Sequence, residues 1–254
     1  MCGRFVRKTS AIEISQIFEA TNNSLDLPVS YNVAPTSRIL SVVSTVDGRR
    51  VQDVSWGLIP RWAKDSTKAA SLINARLETV SEKPSFKNLI ASNRCVLPMD
   101  GYFEWKEVLR HDEIKPFKQP FYFSPQPGSH YSHSGVLGVA GLWSSWKDPN
   151  NPEGSSVITA VALTRDANAM VSQVHHRMPV LLDQQGVMSW LDLATEEPLS
   201  HLVEIEDEAL VVCAVSTKVN SSRSSGADLI DPIDLNDASN GKRKAEHNDE
   251  LRLF

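Results

Sequence analysis

Turn residues interrupt this sequence at short intervals, and the segments between them are rich in β-branched and aromatic residues. That spacing constrains the fold more than any other feature, because most of these runs are too short for a helix and suit strands. Arg38–Ser44 and Val51–Ile59 form such a pair around the turn Asp47-Gly48, and Arg94–Pro98 and Gly101–Val108 lie either side of Met99-Asp100-Gly101. Gln119–Ser124, Gly135–Trp143, Val157–Thr164 and Leu210–Val215 read the same way. Between them the segment Tyr31–Pro35 reads as a loop, bounded by Pro28 and Pro35.

Helical signals are few and irregularly placed. Ser10-Ala11-Ile12-Glu13 is a capping box, expected to open a helix through about Ala20 with Ile12, Ile17 and Phe18 inward. Further helices are expected over Lys83–Ser92 (apolar side Phe86, Leu89 and Ile90), Asp166–Val174, Asp183–Leu191 and Glu197–Glu204. The pattern is α+β with a mainly antiparallel sheet, not a βαβ series. A Gly-rich phosphate loop of Rossmann or Walker type is absent from the sequence.

The 254 residues suffice for one sizeable domain, and 41% hydrophobic with 22% charged residues is an ordinary globular balance. Residues 2–233 are read as that domain. From Asp234 to Phe254 the chain is polar and aperiodic, and is expected to be a disordered tail. The start lacks the apolar stretch of a secretory signal and no run is long enough to span a bilayer, so an intracellular protein is expected. Within the tail Lys242-Arg243-Lys244 has the look of a short nuclear signal; in a cell without a nucleus the expectation is cytoplasm or nucleoid. Cys2, Cys95 and Cys213 form no CxxC pair, which suggests neither a disulfide framework nor a thiolate zinc site, and no cofactor or metal is expected. A net charge of −5 argues against coating nucleic acid by bulk electrostatics and leaves room for a local basic cleft.

Chemistry begins at the second residue. Aminopeptidase removal of Met1 would leave Cys2 with a free α-amine and a thiol on adjacent carbons. The amine's pKa, about 7.7–8.0, leaves far more of it unprotonated at neutral pH than a lysine. A 1,2-aminothiol condenses with an aldehyde to an imine and then closes to a thiazolidine; as a thiolate, the same cysteine could attack an acyl group. Position 2 could equally be a small packed residue. Glu104 sits between Phe103 and Trp105, where aromatic walls would desolvate it and raise its pKa, unless strand alternation turns it to solvent. His175 precedes Arg177 and Pro179 and is a natural proton shuttle, although His176 beside it divides the signal. Asn74 could orient a nucleophile and Arg76 could hold a phosphate. Arg4, Arg76 and Arg177 each stand beside a candidate catalytic residue, which hints at an anionic substrate. Trp62 and Pro35, in loops, could stack on unpaired bases. Taken singly, each residue leaves a structural role open.

Taken in order, they are more specific. Met1-Cys2-Gly3-Arg4-Phe5, Tyr31-Asn32-Val33-Ala34-Pro35, Trp56-Gly57-Leu58-Ile59-Pro60, Asn74-Ala75-Arg76, Gly101-Tyr102-Phe103-Glu104-Trp105 and His175-His176-Arg177-Met178-Pro179 resemble the SOS-response-associated peptidase family of abasic-site-processing proteins. Ala214–Asn220 resembles that family's last strand and loop. The resemblance implies one α+β domain with a twisted, barrel-like, mainly antiparallel sheet, short flanking helices and a groove for single-stranded DNA. It also implies that Cys2 forms a thiazolidine cross-link with the aldehyde of a ring-opened abasic site. Asn74 would position Cys2, Glu104 would handle the protons of amine and imine, and His175 would assist sugar ring opening. Arg4, Arg76 and Arg177 would hold phosphates, with Pro35 and Trp62 near the bases. Autocatalytic removal of residues before Cys2 belongs to the same implied repertoire. Release of the cross-link, by protonation from Glu104, and strand cleavage by β-elimination from an imine follow from the chemistry, and a monomer is expected. A cysteine peptidase acting on protein substrates is the alternative, and a non-catalytic reader of modified bases is a further one. The chain departs from the pattern in its long polar loop Ala63–Ser71, its single Trp62 and its His176 where an acidic residue is usual.

Overall fold

The computed structural model describes residues 3–24, 26–45, 47–67, 71–109 and 116–235. Cys2 and the tail from 236 onward, with Lys242-Arg243-Lys244, lie outside the described residues. The strands in chain order are β1 (Arg4–Arg7), β2 (Thr21–Asn22), β3 (Ser30–Val33), β4 (Arg38–Thr45), β5 (Gly48–Trp56), β6 (Asn74–Arg76) and β7 (Arg94–Met99). They continue as β8 (Gly101–Val108), β9 (Phe117–Pro125), β10 (Leu137–Trp146), β11 (Val157–Asp166), β12 (Arg177–Pro179), β13 (Leu181–Leu182) and β14 (Leu210–Ala214). The α-helices are α1 (Ala11–Ile17), α2 (Ala169–Ser172) and α3 (Gln184–Leu191).

The strands form two sheets. The smaller runs β14-β9-β8-β1-β3. The larger runs β12-β11-β10-β7-β4-β5-β2, and a parallel pairing of β11 with β5 joins its two sides, closing β5, β4, β7, β10 and β11 into a ring. This is an α+β architecture with a twisted, barrel-like sheet. Antiparallel pairs dominate, while β6 and β5 both lie parallel along β11 because each returns to it across a long connection.

Alternation along the strands sorts side chains into separate cores. Phe5, Trp56, Leu97, Tyr102, Phe123 and Ala162 share one core that joins the two sheets. The Phe5 and Trp56 rings meet edge to face at 5.2 Å, and Tyr102 stacks on Phe123 at 4.9 Å. The other faces of the large sheet, with Val42, Val96 and Val161, pack under Ile14, Phe18 and Trp190 of the α1 and α3 regions. On the small sheet's outer face, Val6, Phe103 and Tyr122 are covered by Val215, Val219 and Leu229 from the C-terminal segment.

The capping box forms as expected, with Glu13 N–H donating to Ser10 Oγ and the Glu13 carboxylate accepting from Ser10 N–H. The helix it opens is only seven residues long and buries Ala11 and Ile14, leaving Ile12 exposed. Other expectations are corrected. The Lys83–Ser92 helix is a single 3-10 turn, Lys87–Leu89, that still buries Phe86 and Leu89. The Glu197–Glu204 helix is likewise one 3-10 turn, Pro198–His201. Ser30–Val33, read as loop from Tyr31, is the edge strand β3, whose Val33 pairs with Phe5. Met99-Asp100-Gly101 is no hairpin turn, since β7 belongs to the large sheet and β8 to the small one. The chain crosses between sheets there, held by Asp100, whose carboxylate accepts from Lys8 N–H, Thr9 N–H and Thr9 Oγ1.

Candidate active site

Strand β8 places the first candidate. Tyr102 and Glu104 share its inner face, and Phe103 and Trp105 point outward. Because both faces of β8 are covered, alternation does not carry Glu104 to solvent; it is 2% exposed. Burial pushes its carboxyl up to about 7. The pairing of β1 with β8 starts at Arg4 opposite Phe103, so the chain enters the small sheet one residue away from Glu104.

His175 comes from the far end of the larger sheet. Helix α2, capped by Asn168 Oδ1 accepting from Val171 N–H, ends in a turn that delivers His175 to Glu104, with Nδ1 3.8 Å from Oε1. The Arg177 N–H lies 3.0 Å from that Nδ1 and donates to it when the neutral ring carries its proton on Nε2. The Arg177 carbonyl, 3.1 Å from the same nitrogen, would take over as acceptor if the ring became charged. Burial lowers the His175 pKa. Carboxyl and imidazole are thus displaced in opposite directions, each towards its neutral form. Near neutral pH the carboxyl is close to half-protonated beside an imidazole that favours its neutral form, so the 3.8 Å approach is not by itself an ion pair. His176 is exposed and stacks on His175 at 4.4 Å, so His175 is the ring that meets Glu104.

Arg177, expected at a phosphate, is bonded within the protein in this structure. It is 4% exposed, and its guanidinium is held in a fork by Glu78 at 2.8 and 2.8 Å, by Asp166 at 2.5 Å and by the Thr164 carbonyl at 2.7 Å. Its donors are turned into the protein, where they fasten the turn carrying His175 to β11. The guanidinium in turn holds Glu78 below the usual carboxylate range. That contribution is complete above Glu78's unfolded pKa and is lost as pH falls through its lower folded value. We expect Arg177→Lys, which cannot reproduce the fork, to cost about 2 kcal/mol. The melting temperature should then drop by roughly 4–8 °C. Unchanged melting together with weakened DNA binding would restore the phosphate role.

The remaining candidates are spread around this pair. Asn74 is half-buried on β6, which lies along β11 on the edge opposite β12. Ile73 anchors that strand, its carbonyl accepting from Trp56 Nε1 and Ala162 N–H at 3.0 Å each. Arg76, on the same strand, is exposed. Arg4 is half-buried and directs Nη1 to Asn32 Oδ1 at 2.7 Å and to the Val219 carbonyl at 3.0 Å, tying β1 to β3 and to the C-terminal segment. Of the three arginines, Arg76 alone is exposed. Pro35 lies half-buried in the tight loop after β3, pinned where Thr36 N–H donates to the Trp56 carbonyl at 2.8 Å. Trp62 is 68% exposed on the loop that leaves the same end of β5.

The groove over Glu104 and His175 measures about 460 Å³, and its other lining residues are Trp105, Lys118 and Asn220. Sequence reasoning missed these three. Trp105 carried a signal in its place beside Glu104 and Asn220 in the Ala214–Asn220 motif, but neither Asn220 nor Lys118, on β9, could be placed at the groove without the fold. Among the described residues no cluster of three His, Cys, Asp or Glu side chains forms a metal site, and no helix is long and apolar enough to cross a membrane.

Comparison with known proteins shows the family. The model for the SOS response associated peptidase (SRAP) family matches residues 1–222. The chain belongs to this family. Its relatives include the abasic site processing protein YoqW of Bacillus subtilis, 35% identical over 91% of this chain and 99% of that protein. The abasic site processing protein HMCES of Pongo abelii is 31% identical over 81% of this chain and 66% of its own length. A crystal structure of a Bacteroides thetaiotaomicron protein aligns with 91% of this chain and 100% of its own at a TM-score of 0.76. At 24% identity that match speaks for the fold alone.

Proposed function

We propose that this chain processes abasic sites in DNA, capturing them covalently in single strands through Cys2 after loss of Met1. The observation that carries the reading is the Glu104–His175 pair: a buried carboxyl at about 7 facing a neutral imidazole, beside the point where the chain enters β1. That is a proton-transfer site for carbonyl condensation at neutral pH. The amine of Cys2 adds to the open-chain aldehyde carbon, and protonated Glu104 gives its proton to the departing hydroxyl. Water leaves and an iminium forms, which returns its N–H proton to Glu104 to give the imine. The thiol then adds to the imine carbon, its proton passing to nitrogen, so one aldehyde and one aminothiol yield one thiazolidine and one water. His175 assists opening of the deoxyribose ring, and Asn74 orients Cys2. Arg76 is the phosphate contact, Trp62 and Pro35 border the bases, and Arg4 and Arg177 shape the site from within. The same Glu104 proton, returned to the thiazolidine, would allow slow release, and the imine would open a route to strand cleavage.

Intact-mass analysis before and after mixing with a single-stranded oligonucleotide containing one abasic site tests this. The expected result is a starting mass without Met1, then a heat-stable one-to-one adduct, absent in Cys2→Ala and after N-acetylation of Cys2. A protein that retains Met1, or forms no adduct, would overturn the reading. Cleavage of a protein substrate that survives N-acetylation would favour a thiolate peptidase instead, because only the aldehyde reaction needs amine and thiol together.

A further inference from the structure

The groove over the acid–base pair has a second wall that the covalent chemistry does not use. Trp105 lies on β8 next to Glu104, its ring half-buried against the outer core and its Nε1–H donating to Asn220 Oδ1 at 2.6 Å. That bond ties the indole to the 3-10 turn Thr217–Asn220. Val219 of the same turn is held by Arg4. Lys118, exposed on β9, lines the groove beside Trp105. Glu107 stands opposite it in register, yet no carboxylate among the described residues lies within ion-pair distance of Lys118. A fixed aromatic face and an ammonium without an ion-pair partner among the described residues, continuous with a proton-transfer pair, are the parts a single-stranded nucleic acid site uses: rings for bases, cations for phosphates.

We propose that Trp105 and Lys118, with Asn220 as the positioning residue for the indole, form a subsite for the nucleotide adjacent to the abasic one. Its base stacks on Trp105 and its phosphate meets Lys118. The proposal rests on the abasic-site reading above and assigns that reading a second point of grip, on the β8–β9 side of the lesion.

The test measures equilibrium binding of the whole chain, by fluorescence anisotropy, to a single-stranded oligonucleotide carrying a tetrahydrofuran spacer in place of the abasic sugar. The spacer has no aldehyde, so binding is read without covalent capture. Trp105→Leu should weaken binding roughly tenfold, the scale of losing one base–aromatic stack, and Trp105→Phe, which keeps a ring face, should recover most of it. Removing the base flanking the spacer, tested on each side, should weaken the wild type on one side and leave Trp105→Leu unaffected there. Lys118→Gln should reduce the slope of log affinity against log salt by about 0.7, the value for one single-strand phosphate contact. Asn220→Ala should weaken binding by less than Trp105→Leu, because the ring remains but loses its anchor. A merely structural role for these residues would leave the salt slope and the flanking-base dependence unmoved. Variants that bind as tightly as wild type, or a flanking-base effect equal in wild type and Trp105→Leu, would overturn the subsite. Absence of a covalent adduct with an aldehyde-bearing oligonucleotide would instead overturn the abasic-site reading, so the two failures are distinguishable.

Discussion

Replacing Glu104 by Gln is expected to slow covalent capture roughly a hundredfold or more, the scale on which a positioned general acid or base acts. The pH dependence should change shape as well as height. In the wild type two groups oppose each other: the α-amine must lose its proton, with a pKa about 7.7–8.0, and Glu104 must keep one, with its carboxyl at about 7. Their product is a bell with its maximum between the two. The Glu104→Gln variant keeps the rising amine limb and loses the falling one, so its rate should climb to a plateau in alkali. Stability should respond in the opposite sense. The folded pKa of Glu104 lies above its ordinary 4.5, so the stability it contributes is complete below that value and is lost as pH rises through about 7. An amide cannot ionise. Glu104→Gln should therefore unfold with a flatter pH profile and be the more stable protein at pH 8, by about 3 kcal/mol at most. A variant with wild-type rates and a wild-type bell would remove Glu104 from the chemistry.

Part of this was legible in the chain before folding. The strand runs were well placed, since β4, β7, β8, β10 and β11 are rich in β-branched, aromatic and other apolar residues between breaking residues. The SRAP motifs announced Glu104 and His175 together, and the fold brings those two to 3.8 Å. What stayed hidden was decided at long range. Alternation across Tyr102-Phe103-Glu104-Trp105 suggests a solvent-facing carboxylate as readily as a buried one, and burial follows only once the face Glu104 shares with Tyr102 is turned to the core between the two sheets. Arg177 looked like a phosphate ligand because of its neighbour His175, while its bidentate partner, Glu78, is 99 residues away. The polar strand β3 read as a loop because its pairing with β1, not its composition, makes it a strand. Lys83–Ser92 had a helical apolar stripe without the intervening turns to sustain it; its burial of Phe86 and Leu89 needs no more than one 3-10 turn.

Gly101→Ala is expected to be among the most damaging single-methyl changes in the protein. At Gly101 the chain leaves β7 of the large sheet and enters β8 of the small one with φ at +154°, beyond the range that side chains accept readily. Space is the harder limit. A Cβ there would lie 2.4 Å from Tyr122 Oη and 2.5 Å from the Phe123 carbonyl oxygen. The tyrosine cannot swing away cheaply, because it donates to the Asp100 carbonyl at 2.8 Å, and the Phe123 carbonyl is backbone of the paired strand β9. Relief requires β8 and β9 to separate. We expect a cost of about 3 kcal/mol or more, and a melting temperature lower by roughly 10 °C. Gly128→Ala is the control. Its φ of +81° is also strained for alanine, but no atom lies within 4 Å of its added Cβ, so only the backbone cost of about 1 kcal/mol should appear. Equal effects at the two positions would show that the crowding at Gly101 is relieved without cost. The damage should also reach the chemistry. Glu104 owes its raised pKa to burial between β8 and its neighbours, so any Gly101→Ala protein that folds at low temperature should show that carboxyl titrating nearer its ordinary 4.5. The falling limb of the pH–rate bell would then move to lower pH with it, linking one methyl group at a sheet crossing to proton transfer three residues along the strand.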